Sequence, residues 1–176
     1  HKWLRVDENL AIIFDENEMK DFLSDLDNNY DTYGKQREFI TSLGTNLKIS
    51  GGNYGWLVDR VGEVADLIVT IKGGQTLAKE PHYSQTALSR SINDIGNTYV
   101  EINMTKQHLW FYKNGSLVVQ GDVVTGNVSI NDATPKGVYK LKYKEKDATL
   151  KGEGYSVFVA EFMPFNGGIG IHPATW

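Results

Sequence analysis

The stretch YVEINMTKQHLWFYKNGSLVVQGDVV, residues 99–124, decides the fold class of the second half of the chain. Tyr99 to Asn103 alternates in character, Gln107 to Tyr112 is rich in aromatic residues, and Asn114-Gly115 separates it from Ser116 to Val124. Period-two alternation places one set of side chains on one face of a strand. Asn-Gly is a strong hairpin signal, because both central residues of a type I′ turn need positive φ. Further on, Val138 to Lys144 alternates cleanly, and Tyr155 to Phe162 and Ile169 to His172 read as strands. Turn residues punctuate this half at intervals of about eight to twelve residues, which predicts a small sandwich or barrel.

The first half reads differently. Asp15 and Glu18 have capping-box-like spacing, and Met19, Phe22, Leu23 and Leu26 follow on one helical face, with Asn28-Asn29 as the expected stop. Strand-like pieces follow at Glu38 to Ser42 and Leu47 to Ser50, then a Gly51-Gly52-Asn53 turn and Tyr54 to Val58. Asp59 can cap a second helix carrying Val61, Val64, Leu67, Ile68 and Ile71, which Gly73-Gly74 ends. Residues 74–98 read as connector with some short structure. The expected organisation is an α+β accessory domain over residues 1–97 and a mostly β domain over residues 98–176.

Composition excludes several classes. The 176 residues contain no cysteine, so no disulfide framework, thiolate zinc site or cysteine nucleophile lies within them. With four histidines, a dense histidine metal centre is not expected. No apolar run approaches the roughly 20 residues that span a bilayer, and no secretory leader opens the sequence. An exported protein would carry its address outside these residues. The net charge is −4, with acids concentrated between Asp7 and Asp31, which argues against nucleic-acid binding. The one basic run is Lys136, Lys140, Lys142, Lys144, Lys146 and Lys151. It fits either a solvated strand face or a binding patch.

Familiar catalytic motifs are missing: there is no phosphate-binding glycine loop, no H-E-x-x-H and no G-x-S-x-G. His108 lies inside a strand and suits a structural role. His172 ends a glycine-rich strand, Asn166-Gly167-Gly168-Ile169-Gly170-Ile171-His172, and Pro173-Ala174-Thr175-Trp176 follows. Glycines there allow close backbone approach, so the strand could pass beside a ligand, with His172 exchanging protons at a cleft lip. A capped strand end packed on Trp176 fits the same residues.

Several separated blocks, in order, resemble one family. Asn93 to Ile102 runs into Lys106 to Gly115. Gly121 to Gly126, Ala133-Thr134-Pro135-Lys136-Gly137-Val138-Tyr139 and Gly168 to Trp176 follow. Together they resemble the first two-thirds of an L,D-transpeptidase catalytic domain, the YkuD-like β fold. Phe39 to Gly44 and Gly51 to Trp56 resemble the peptidoglycan-binding domain that precedes it in Gram-positive members.

The resemblance implies peptidoglycan stem peptides as donor and acceptor, and a cysteine that attacks a tetrapeptide stem, releases D-Ala and forms 3-3 cross-links. It implies His172 as general base and the Pro173 main-chain carbonyl as the group orienting it, where relatives often carry Asp or Ser. It places Trp176 in the substrate pocket and Tyr155 and Met163 in the substrate-covering segment, although sheet packing accounts equally for those two. It implies no metal or other cofactor, because the chemistry needs a base and oxyanion donors. It also implies carbapenem as a covalent probe and a location in the cell wall or at the cell surface, anchored outside these residues.

The family's nucleophile sits in a [ST]-H-G-C-[IV]-[NR]-like motif about 20 residues past the matching histidine. The expectation is a catalytic domain incomplete at its C-terminus and a 176-residue chain without activity of its own. Two other readings stand beside it. One is a non-catalytic wall-binding module, with Trp56, Tyr54, Trp110 and Tyr112 stacking on glycan or stem peptide. The other is a pseudoenzyme scaffold.

Overall fold

The computed structural model describes residues 2–76, 78–130, 132–152 and 154–174. In chain order the elements are β1 (Leu4–Val6), β2 (Ile12–Phe14), α1 (Glu16–Tyr30), β3 (Arg37–Ile40), β4 (Asn46–Ile49), β5 (Leu57–Val58), α2 (Arg60–Lys72) and β6 (Tyr83–Gln85). Then come β7 (Tyr99–Asn103), β8 (His108–Lys113), β9 (Ser116–Asp122), a 3-10 turn (Val128–Ile130), β10 (Glu145–Gly152), β11 (Tyr155–Asn166) and β12 (Ile169–Ile171). Packing divides the chain into two units, His1–Tyr33 with Gly55–Asp94, and Gly34–Tyr54 with Ile95–Trp176. The division is not the linear one expected from sequence, because the β3–β4 hairpin and the loop after it pack within the β-rich unit.

In the first unit both helices start where the sequence places a cap. The Asp15 carboxylate accepts from the Asn17 and Glu18 main-chain N–H groups at 3.1 Å, and Asp59 accepts from Gly62 at 3.1 Å. Glu16 and Glu18 add negative charge at the positive end of the α1 dipole. The expected stop at Asn28-Asn29 is overrun, and α1 continues to Tyr30. Its buried stripe is Met19, Leu23 and Asp27, spaced four residues apart, while Phe22 and Leu26 are about 40% exposed at its margin. Met19, Leu23 and Val64 form the core, joined by Trp3, Phe14, Leu67 and Ile68. At the end of α2, Gly73 stays right-handed and Gly74 takes the left-handed turn at φ +63°.

Burying Asp27 costs hydration, which Arg60 offsets with its Nε at 2.6 Å. Buried Glu63 accepts from Lys79 Nζ and from the His82 main-chain N–H, both at 2.9 Å, so the expected connector is stitched onto α2. Lys79 also reaches Asp66 at 2.6 Å. Burial would lower the Lys79 pKa, but its hydrogen bonds to Asp66 and Glu63 and their charges outweigh that and raise it. The Lys79 hydrogen bond in turn lowers the Asp66 pKa.

The second unit contains the β3–β4 hairpin and two three-stranded antiparallel sheets, β7-β8-β9 and β10-β11-β12. Asn114 (φ +52°) and Gly115 (φ +81°) form the positive-φ turn that the sequence predicts between β8 and β9. One expected strand is absent. Residues 139–144 make no ladder, and Leu141 and Tyr143 are exposed. Their hydrogen bonds go elsewhere: Lys140 N–H donates to the Asn53 side chain and Lys142 N–H to the Pro164 carbonyl. Pairing starts at β10, where Ala148 packs with Val159 and Phe162 of β11.

A partly buried polar cluster around Glu101 ties β3's end to β7 and β8. Glu101 Oε2 accepts from the Ser42 N–H at 2.9 Å and from the Ser42 hydroxyl at 2.6 Å. That hydroxyl has one proton, so Tyr112 Oη, 2.9 Å away, donates to Ser42 Oγ. Tyr99 stacks on Tyr112 at 5.1 Å and meets Phe39 edge-on at 5.5 Å. Burial, followed by the proximity of Tyr112 and Glu101, raises the Tyr99 pKa.

Candidate active site

The β11–β12 hairpin carries the histidine. Asn166 pairs with Ile169 across Gly167 and Gly168, and Gly167 sits at φ +56°, as the first central residue of such a tight loop requires. A register shift between Pro164 and Asn166 accommodates buried Pro164, which has no N–H for the ladder. Opposite Pro164 is Gly170. A Cβ there would lie 2.4 Å from the Phe162 ring and 2.8 Å from the Met163 carbonyl oxygen. The glycine therefore leaves room for close packing against this protein's own phenylalanine.

Ile171 pairs with Met163, so the residue emerging from the end of β12 is His172. Its side chain is exposed, and Nδ1 lies 3.0 Å from the Pro173 carbonyl oxygen. A carbonyl only accepts, so in the neutral ring this contact favours the proton on Nδ1, which leaves the Nε2 lone pair available. That tautomer can take a proton from an acid presented at Nε2.

Met163, His172 and Pro173 thus lie at one end of the hairpin. Tyr155 does not join them. It begins β11 opposite Gly152, eight residues before Met163, about 26 Å along an extended strand. Trp176 lies outside the described residues. Among the described residues no group of three or more histidines and carboxylates is placed to hold a metal ion. The aromatic residues considered for ligand stacking are engaged within the protein. Trp110 is buried, Tyr54 lies under Arg37, and Trp56 lies 3.9 Å beneath the Arg90 guanidinium and edge-on to Tyr83.

Sequence reasoning missed what braces the hairpin. Asn53, read only as part of a turn, donates from Nδ2 to the Phe165 carbonyl at 3.1 Å and accepts from Lys140 N–H at 3.0 Å. The Asn53 and Tyr54 N–H groups both reach the Val138 carbonyl. Gly51 and Gly52 sit at φ +85° and +87°, and a Cβ on Gly52 would lie 2.0 Å from that carbonyl oxygen. The available signal was the pair Gly51-Gly52 beside a side-chain amide, in a chain that later repeats a turn at Gly137.

Comparison with known proteins divides the sequence linearly, unlike the packing units. Residues 97–176 match the sequence model of the L,D-transpeptidase catalytic domain, YkuD. Residues 1–78 match the family described as "Putative peptidoglycan binding domain". A crystal structure of a cysteine-to-serine mutant of the Enterococcus faecium L,D-transpeptidase is similar, with 28% identity, covering 99% of this chain and 70% of that chain at a TM-score of 0.69. The Ldtfm–avibactam carbamoyl enzyme is similar at 29% identity, covering 99% and 69% of the respective chains at a TM-score of 0.71. No curated protein matches the chain.

Proposed function

Residues 97–176 belong to the L,D-transpeptidase catalytic-domain family and residues 1–78 to a peptidoglycan-binding family, and from that premise we propose that this protein forms 3-3 cross-links in peptidoglycan. A thiolate attacks the carbonyl carbon of the L-Lys–D-Ala bond of a tetrapeptide stem. A thioester forms, and D-Ala leaves as its amine takes a proton from the imidazolium of His172. An amine on a neighbouring stem then attacks the thioester, gives its proton to His172 Nε2 and expels the thiolate. The Pro173 carbonyl holds the imidazole in the tautomer this requires. The 176 residues contain no cysteine, so by themselves they do not carry out the transfer.

The observation that carries this reading is the placement of His172 at the end of β12, Nδ1 toward the Pro173 carbonyl, inside the segment matching the family. Met163, the ladder partner of Ile171 just before His172, serves as one substrate contact, and the family resemblance assigns Trp176 as another. Tyr155 would contribute only if a long substrate reached the far end of β11. Residues 1–97 act as the accessory wall-binding part and residues 98–176 as the catalytic part. The protein works outside the cytoplasm of a Gram-positive cell, held at the wall or surface through a membrane anchor outside these residues. No described helix is long and apolar enough to cross a membrane.

The test uses these 176 residues continued by a cysteine-bearing segment of the family's motif. With a disaccharide-tetrapeptide donor and acceptor, mass spectrometry should detect D-Ala release, a 3-3 dimer and a carbapenem adduct. His172→Ala should lower D-Ala release by about 10²–10⁴-fold. A folded, thiol-bearing chain that releases no D-Ala would refute the proposal, and so would a covalent carbapenem adduct on the cysteine-free chain.

A further inference from the structure

We propose that Lys136, Lys140, Lys142, Lys144 and Lys146 form a docking strip for a linear polyanion, a polyol-phosphate polymer of the cell wall. All five side chains are exposed. Residues 136–146 hold these five lysines and a single acid, Glu145, a net +4 in a chain of −4, so the remainder carries −8. The positive charge is therefore concentrated in one segment of an otherwise acidic protein.

Among the described residues none of the five ammonium groups enters an ion pair or a side-chain hydrogen bond. Arg60 and Lys79, by contrast, are matched to Asp27, Glu63 and Asp66. Glu161 faces Lys146 across the ladder without forming an ion pair with it. Lining up unneutralised lysines works slightly against folding through mutual repulsion. A bound polyanion removes that repulsion.

The spacing selects the kind of polyanion. From Lys140 to Lys146 every second residue is lysine, and the segment runs beside β11, with Lys142 bonded to the Pro164 carbonyl, before entering β10. Lysines two residues apart lie at most about 6.6 Å from one another along the backbone, the value for fully extended chain. The row follows the chain as a line of charges up to about 20 Å long, entering β10 at its end. One phosphate or carboxylate can satisfy only one or two of these positions, and a membrane calls for a patch spread in two dimensions. A polymer of glycerol phosphate carries one negative charge per repeat, at a spacing close to that of alternate residues.

The inference is independent of acyl transfer, because such a polymer has no stem peptide. The experiment measures fluorescence anisotropy of labelled poly(glycerol phosphate) with the purified 176-residue chain. Expected is binding that weakens about tenfold or more between about 50 and 200 mM salt. K140Q/K142Q/K144Q should lower affinity by about tenfold or more while circular dichroism stays unchanged and the melting midpoint holds or rises slightly. Failure to bind at low salt, or equal affinity in the triple variant, would overturn the proposal. So would an oligonucleotide of equal charge, or anionic phosphatidylglycerol vesicles, binding as tightly as the polymer.

Discussion

Replacing Ser42 by alanine should destabilise the β-rich unit by about 2–3 kcal/mol, although Ser42 lies in a segment distant in sequence from the strands it braces. Two hydrogen bonds are lost. The hydroxyl donates to the Glu101 carboxylate at 2.6 Å, and a bond to a charged acceptor contributes about 1.5–3 kcal/mol. Tyr112 donates to the same oxygen at 2.9 Å, a neutral bond contributing about 1 kcal/mol. Glu101 keeps the Ser42 N–H at 2.9 Å, and water can enter this partly buried site, so the sum falls below the extreme. The assay is urea unfolding at pH 7, with Tyr112→Phe and the double variant completing a cycle. Tyr112→Phe should cost about 1 kcal/mol in the parent and almost nothing after Ser42→Ala, a coupling of about 1 kcal/mol. A Ser42→Ala cost below about 0.5 kcal/mol, or equal Tyr112→Phe costs in both backgrounds, would refute the assignment of residues 34–54 to this unit's packing.

Gly52→Ala meets the Val138 main chain at 2.0 Å from a position at φ +87°, so it should cost about 3 kcal/mol or more, and a urea midpoint close to the parent's would contradict this. Met19→Ala should cost about 2–5 kcal/mol because Met19 is 1% exposed, whereas Phe22→Ala, at 42% exposure, should cost much less; equal losses in thermal unfolding would show the helix rotated from its described face. Tyr99 should ionise above the usual tyrosine value of about 10. Its folded pKa is the raised one, so its contribution to stability is complete below the unfolded value and is lost as pH rises through the folded value. Burial raises Tyr83 as well, so absorbance titration at alkaline pH should show late-ionising phenols of which Tyr99→Phe removes one, and a curve missing only an ordinary tyrosine would count against the burial described.

Local signals were legible along the chain. Asp15 and Asp59 announced both helices, because a short acceptor side chain ahead of an amphipathic run satisfies N–H groups only a few residues away. Asn114-Gly115 announced its hairpin because positive φ is a property of those residues themselves. The β1–β2 hairpin escaped notice: its strands are three residues each, and its loop is held by Asp7 accepting from Asn9 and Ala11 rather than by a glycine turn. β10 was missed for a different reason. Glu145 to Gly152 is mostly polar, with only Ala148 buried, while the neighbouring Tyr139, Leu141 and Tyr143 supplied the better alternation.

The family blocks and the position of His172 followed from residue order alone, since each block is a short contiguous pattern. Tyr155 illustrates the limit: order places it close to Met163, but an extended strand carries it about 26 Å away. The sequence by itself determined the helices, most strands, the main hairpin turn and the histidine at a strand end, because each depends on residues within a few positions. Only the tertiary structure decided that residues 34–54 pack with the β sheets, that Asn53 braces the histidine's hairpin, and that Gly170 makes room for Phe162. Those contacts join residues far apart in the chain, and no local propensity specifies a partner more than a hundred positions away.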